Sequence, residues 1–110
     1  MEGSSTRTFP RMLLDKSVEL RVGQETINIE NPSTNLSMGG LFVRRCNLPV
    51  GTPVRVRIAA GRGFEADGQI RNRATNDSGV GIGFNSLTER DREALYELIE
   101  DLTLRGLPAA

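Results

Sequence analysis

Two short stretches carry side chains whose types and spacing could hold an anion or a flat polar ligand. The first is TRTFPR, residues 6–11, where Arg7 and Arg11 stand four apart around Phe9 and Pro10. A guanidinium is planar, permanently charged and forked. It can bridge phosphate oxygens, pair with a base edge or stack on a ring face. The second is NLSMGG, residues 35–40. Asn35 and Ser37 are two apart, so in an extended segment their short polar side chains share a face. Gly39 and Gly40 follow without Cβ atoms, which permits φ > 0 or close approach of a flat ligand to the backbone. Each stretch also has a plain structural reading: a solvated tail leading into a strand, and an Asx/Ser turn that opens one.

Other chemistry is poorly supplied. The chain has no histidine and a single cysteine, Cys46. It lacks the commonest general base near neutral pH and cannot build a Cys/His zinc site. No spacing of acids points to a working carboxylate pair. Binding is therefore expected rather than catalysis, with no metal and no cofactor. One cysteine also rules out an internal disulfide, which fits a reducing cytoplasm. The start, MEGSSTRTFP, lacks the apolar stretch of a secretory signal. No apolar run approaches the ~18–20 residues that a membrane helix needs. A soluble cytoplasmic domain without membrane insertion is the expectation.

Basic and acidic residues cancel, 14 against 14, so bulk attraction to nucleic acid or anionic lipid is not expected. The cancellation hides a split. Residues 44–73 are rich in arginine, with Glu65 and Asp67 as their acids, whereas residues 77–105 are acid-rich. Arg44, Arg45, Arg55, Arg57, Arg71 and Arg73 either form a basic surface or line solvated strand faces. A barrel binding single-stranded nucleic acid would use such strands, but 5% aromatic content and zero net charge oppose it.

The elements that must position these residues are short. A chain of 110 residues makes one domain with a modest core. Residues 1–11 read as a flexible N-terminal arm and 12–106 as a single domain. Val18, Leu20 and Val22 alternate with polar residues, a strand followed by a tight turn at Gly23–Gln24. Ile27 and Ile29 mark a second strand over 26–30, and NPSTN at 31–35 reads as a loop. Gly40–Arg45 is the third strand. Phe42 faces opposite to Leu41 and Val43, either under a helix or on a partner surface. Val54–Ile58, the alternating run from Phe64 to Arg71, and Val80–Phe84 complete six strands, with NDSG at 76–79 turning the last hairpin. Thr88 then caps a helix over 88–104. Leu95, Leu98, Ile99 and Leu102 form its apolar stripe, and Glu93, Glu97 and Asp101 an acidic one. Gly106 and Pro108 stop it. The class expected is all-β with one helix, a closed or sandwiched sheet covered by that helix.

Taken in order, an RxxxR arm, two short strands and an [D/N]xSxxG segment opening the next strand resemble the PilZ domain family of cyclic di-GMP receptors. GVGIGF at 79–84, followed by LTERDREAL, is similar to the family's late region. The resemblance runs from Arg7 to about Leu102. It implies a six-stranded antiparallel β-barrel with a C-terminal α-helix, the ligand lying on the outer surface under the N-terminal arm. It makes Arg7 and Arg11 the first motif, and Asn35, Ser37 and Gly40 the second. Thr6 stands where many members have a further arginine, and Asn35 where aspartate is common. An asparagine offers guanine one acceptor and one amide donor, a loss of about 1 kcal/mol against aspartate. The function implied is a non-enzymatic cyclic di-GMP sensor or adaptor. The alternative is a protein-interaction adaptor with a weak or silent nucleotide site. The partner implied is a signalling or motility protein. Gly81 and Gly83 leave the outer face of the last strand bare, either to admit a base or to relieve crowding at a barrel corner.

Overall fold

The computed structural model describes residues 12–14, 16–29, 34–44, 46–59, 63–74 and 79–105. Period-two alternation builds most of it. The strands are β1 (Met12–Leu14), β2 (Val18–Val22), β3 (Glu25–Ile29), β4 (Thr34–Ser37), β5 (Gly40–Arg44), β6 (Pro53–Ile58), β7 (Phe64–Arg73) and β8 (Gly79–Ser86). They form one antiparallel sheet in the order β1-β4-β5-β8-β7-β6-β2-β3, curled into a half-barrel. In β6, Val54, Val56 and Ile58 are buried while Arg55 and Arg57 face away. In β7, Phe64, Ala66 and Ile70 join the same core.

The sheet has eight strands where the sequence suggested six. The two additions, β1 and β4, pair with each other, Met12 opposite Leu36 and Leu13 opposite Asn35. β4 takes Thr34 and Asn35 out of the expected loop. Leu36 is fully buried between the polar residues Asn35 and Ser37, so the stretch reads as a polar turn. It is held instead by neighbours on both sides, β1 and β5. β1 is three residues long and shows no alternation. The expected turn at Gly23–Gln24 joins β2 to β3, with Gly23 at φ 61°, where a side chain would be strained.

Helix α1 (Glu89–Leu104) follows. Thr88 caps it: its hydroxyl oxygen accepts from the Asp91 N–H at 3.1 Å and donates to Asp91 Oδ2 at 2.8 Å. Ala94, Leu95, Leu98, Ile99 and Leu102 are buried, and the helix packs against β1 and β7. No helix among the described residues is long and apolar enough to cross a membrane. The expected arm at 1–11, most of NDSG and the Gly106/Pro108 stop lie outside the described residues.

Candidate ligand-binding site

The NLSMGG stretch is a β-hairpin. Asn35 and Ser37 are on β4, Met38–Gly39 make the two-residue turn, and Ser37 pairs with Gly40 at the start of β5. With Leu36 in the core, Asn35 and Ser37 fall together on the outer face, as their spacing predicts. The Ser37 hydroxyl tightens the turn: it accepts from Gly39 N–H at 3.3 Å and donates to the Gly40 carbonyl at 3.4 Å. The Asn35 amide makes no side-chain hydrogen bond among the described residues. Gly40 departs from the expectation. It is not in the left-handed region. A Cβ there would run into the backbone carbonyl of Ile82 on β8, so the bare carbon lets strand approach strand.

Asn35, Ser37, Gly40 and Phe42 form one side of a cleft of about 410 Å³, with Arg71 and Asn72 on the other side and Gly81 and Gly83 as its floor. That is within the usual range for ligand pockets. Three of the five residues expected at the site therefore meet in one place. The other two, Arg7 and Arg11, lie outside the described residues.

The glycine floor answers the choice left open at Gly81 and Gly83. Both border the cleft, and side chains from the neighbouring strand already use the room they leave. A Cβ on Gly83 would sit 2.6 Å from Arg71 Nε, and one on Gly81 would sit 2.6 Å from Asn72 Oδ1. Phe42 behaves similarly over Gly79, with its Cζ 2.9 Å from a Cβ placed there. It is half-buried on the outer face beside β8.

Arg71, read from the sequence only as one of six strand arginines, and Asn72, which the sequence did not single out, also line the cleft. Strict alternation would send consecutive residues to opposite faces. The register slips here instead: Ile70 pairs with Ile82, but Asn72 pairs with Gly81, so a β-bulge turns Asn72 outward beside Arg71, which alternation already places there. Nothing in the local sequence marks that slip.

Of the two readings of the strand arginines, a basic surface or solvated strand faces, the charge on the outer face of β6 and β7 fits the second better. Arg55 donates from Nε to Glu65 Oε2 at 3.0 Å and from Nη1 to Asp67 Oδ1 at 2.8 Å. Those bonds, to Asp67 first, raise its pKa still further. The outer face of β6 and β7 is thus partly neutralised within itself. Arg73 Nη2 donates to Asn47 Oδ1 at 2.5 Å. Arg71 has no hydrogen bond or ion pair among the described residues. A second cleft, of about 430 Å³, lies near the start of α1 between Arg57, Phe64, Glu65, Arg90 and Asp91. It mixes both signs of charge and contains none of the expected residues.

The PilZ domain family model matches residues 5–101. Among solved structures, one titled "Structure of Bacillus subtilis Inhibitor of motility (MotI/DgrA)" superposes with a TM-score of 0.68 at 20% identity. The match covers 91% of this chain and 52% of that one, so this chain spans about half the length of that neighbour. At that identity the likeness is one of fold. No curated protein matches the chain.

Proposed function

The chain belongs to the PilZ domain family, and from that premise we propose that it is a non-enzymatic cyclic di-GMP-binding sensor and adaptor. The observation that carries this reading is the cleft, where Asn35, Ser37 and Gly40 meet two bare glycines and a guanidinium with no partner among the described residues. The route of the chain supports it too. β1 begins at Met12, immediately after Arg11, and pairs with the strand that bears Asn35 and Ser37. The two motifs are therefore tethered to the same edge of the sheet.

In this mechanism the cleft takes a guanine and the arm takes charge. Asn35, with one acceptor and one donor group, meets the guanine edge. Ser37 holds the hairpin turn that presents Asn35, and its oxygen can take a further hydrogen bond. Arg7 and Arg11 close over the ligand and bridge its phosphates or cover a base. Closing orders a segment of chain, so affinity depends on both arginines. The closed arm then shows a new surface to a protein partner, a population shift with no bond made or broken.

The structural neighbour's title names an inhibitor of motility, so a motility or related signalling protein in the cytoplasm is the partner class we propose. Isothermal titration of the folded protein with cyclic di-GMP is the test. Heat that saturates, and that is lost in Arg7→Ala and Arg11→Ala, supports the reading. No heat at high micromolar ligand overturns it. Asn35, in place of the stronger acceptor aspartate, favours one second reading: an adaptor with a silent site. Partner binding that survives both arginine substitutions would select it.

A further inference from the structure

The outer face of β7 places a cation in the cleft that neither family motif includes, and a bulge sets Asn72 beside it. Arg71 is the inserted residue between the pairs Ile70–Ile82 and Asn72–Gly81. Without the slip, Arg71 and Asn72 would face opposite sides of the sheet. With it, both line the outer cleft across from Asn35 and Ser37. Bulges commonly serve to re-aim side chains in this way.

The Arg71 side chain does not stand away from the sheet. Its Nε, Cγ and Cδ lie 2.6, 2.9 and 3.2 Å from the point where a Gly83 Cβ would be. Three consecutive stretches of one side chain over the same glycine mean that it lies down across β8. Any other residue at 83 would lift it. An arginine laid over bare backbone carries its charge into the middle of the cleft and makes the cleft floor flatter. It is solvent-exposed and has no partner among the described residues, although acids elsewhere on β7 hold Arg55. A structural arginine would be expected to have such a partner.

We infer that Arg71 is a base platform: its guanidinium stacks under a guanine of the ligand, on the sheet side of the cleft. This rests on the cyclic di-GMP reading above and adds a ligand contact to it. Guanidinium planes stack on bases as aromatic rings do, and the cleft floor has no aromatic residue of its own between Asn35 and Asn72 except Phe42, which lies over Gly79. Gly83 is then a positioning residue, since it acts only by letting Arg71 lie flat.

Titration with cyclic di-GMP of the wild type, Arg71→Ala, Arg71→Lys and Gly83→Ala tests the inference. Arg71→Ala should weaken binding about tenfold or more, the size of one base-stacking contact. Arg71→Lys, which keeps the charge and loses the plane, should remain well short of wild type. Gly83→Ala removes no functional group, yet it should weaken binding by displacing Arg71. It also decides the matter should Arg71→Ala fail to fold by circular dichroism. Wild-type affinity in Arg71→Ala or in Gly83→Ala overturns the inference while leaving the wider reading intact. So does full rescue by lysine, which would reduce Arg71 to a point charge. A wild type that gives no heat overturns the cyclic di-GMP reading itself, and the platform with it.

Discussion

Replacing Gly40 with alanine should cost folding stability before it costs ligand binding. The added Cβ would overlap the Ile82 carbonyl and lie 3.1 Å from both Gly83 Cα and Ile82 C. All three are backbone atoms of the paired strand, so no side chain can swing away. β5 and β8 must separate at the Gly40–Gly83 and Leu41–Ile82 pairs, between which core residues Leu41 and Ile82 are packed. Overfilling a packed site costs about 1–3 kcal/mol, and loosening one ladder hydrogen bond adds about 1 kcal/mol. The sum is roughly 2–4 kcal/mol. At about 4 °C per kcal/mol for a domain of this size, Tm should fall by roughly 8–16 °C. Gly83→Ala is the control. It adds the same methyl group on the facing residue, but its nearest neighbours are all atoms of the exposed, movable Arg71 side chain. Its Tm should fall by less than about 4 °C. Thermal melts followed by circular dichroism measure both. Equal melting of the two variants, or a Gly40→Ala protein as stable as wild type, would refute the claim that this motif glycine serves strand packing.

Three further outcomes follow from particular contacts. Burial pushes the Cys46 thiol above its ordinary range, outweighing backbone hydrogen bonds from Leu48 and Asn47 that act the other way. The unfolded chain therefore deprotonates first. The contribution of this group to stability is full below the unfolded thiol pKa of about 8.5 and is lost as pH rises from there through the folded value. Urea midpoints measured across that window in wild type and Cys46→Ala should converge as pH rises, and native alkylation should be at least about tenfold slower than in denaturant. Thr88→Ala removes the α1 cap and should lower stability by about 1 kcal/mol in urea titration, with Thr88→Ser near wild type. Arg55→Ala breaks contacts to Glu65 and Asp67, but the side chains are 41%, 45% and 66% exposed. Its cost should be no more than about 1 kcal/mol at low salt and should shrink in high salt.

Where apolar spacing was strong, structure followed from it. The Thr88 cap, the acids after it and the Leu95–Leu102 stripe placed α1 to within a residue at its start, because each of those signals has a local cause. The strands with two or three inward residues, such as β6 and β7, were equally plain. β4 was not, because polar residues surround its one buried leucine and its existence depends on β1 and β5, which lie beside it only after folding. Half of the site suffered no loss from this. Asn35 and Ser37 share a face in any extended segment, so their spacing carried the information whether or not a strand was recognised there.

The other half of the cleft is non-local in a stronger sense. A single slip of register reverses which face a side chain occupies. Reading β7 by alternation from Phe64 puts Arg71 outward and Asn72 inward, and treats both as ordinary strand residues. The bulge is set where β7 meets β8, at the pairs Ile70–Ile82 and Asn72–Gly81, and no local pattern in β7 announces it. Gly81 and Gly83 have room above them only because β8 carries no side chains there; Arg71 fills it from the outward face of β7, and Asn72 because the bulge turns it the same way. Neither feature has a purpose when viewed alone: an arginine with no partner among the described residues adds little to stability by lying over a bare strand, and glycines within a strand weaken it. Together they make a flat, cationic surface facing Asn35 and Ser37. Two locally unfavourable choices thus meet on one face of the sheet, and the proposed base platform rests on that meeting.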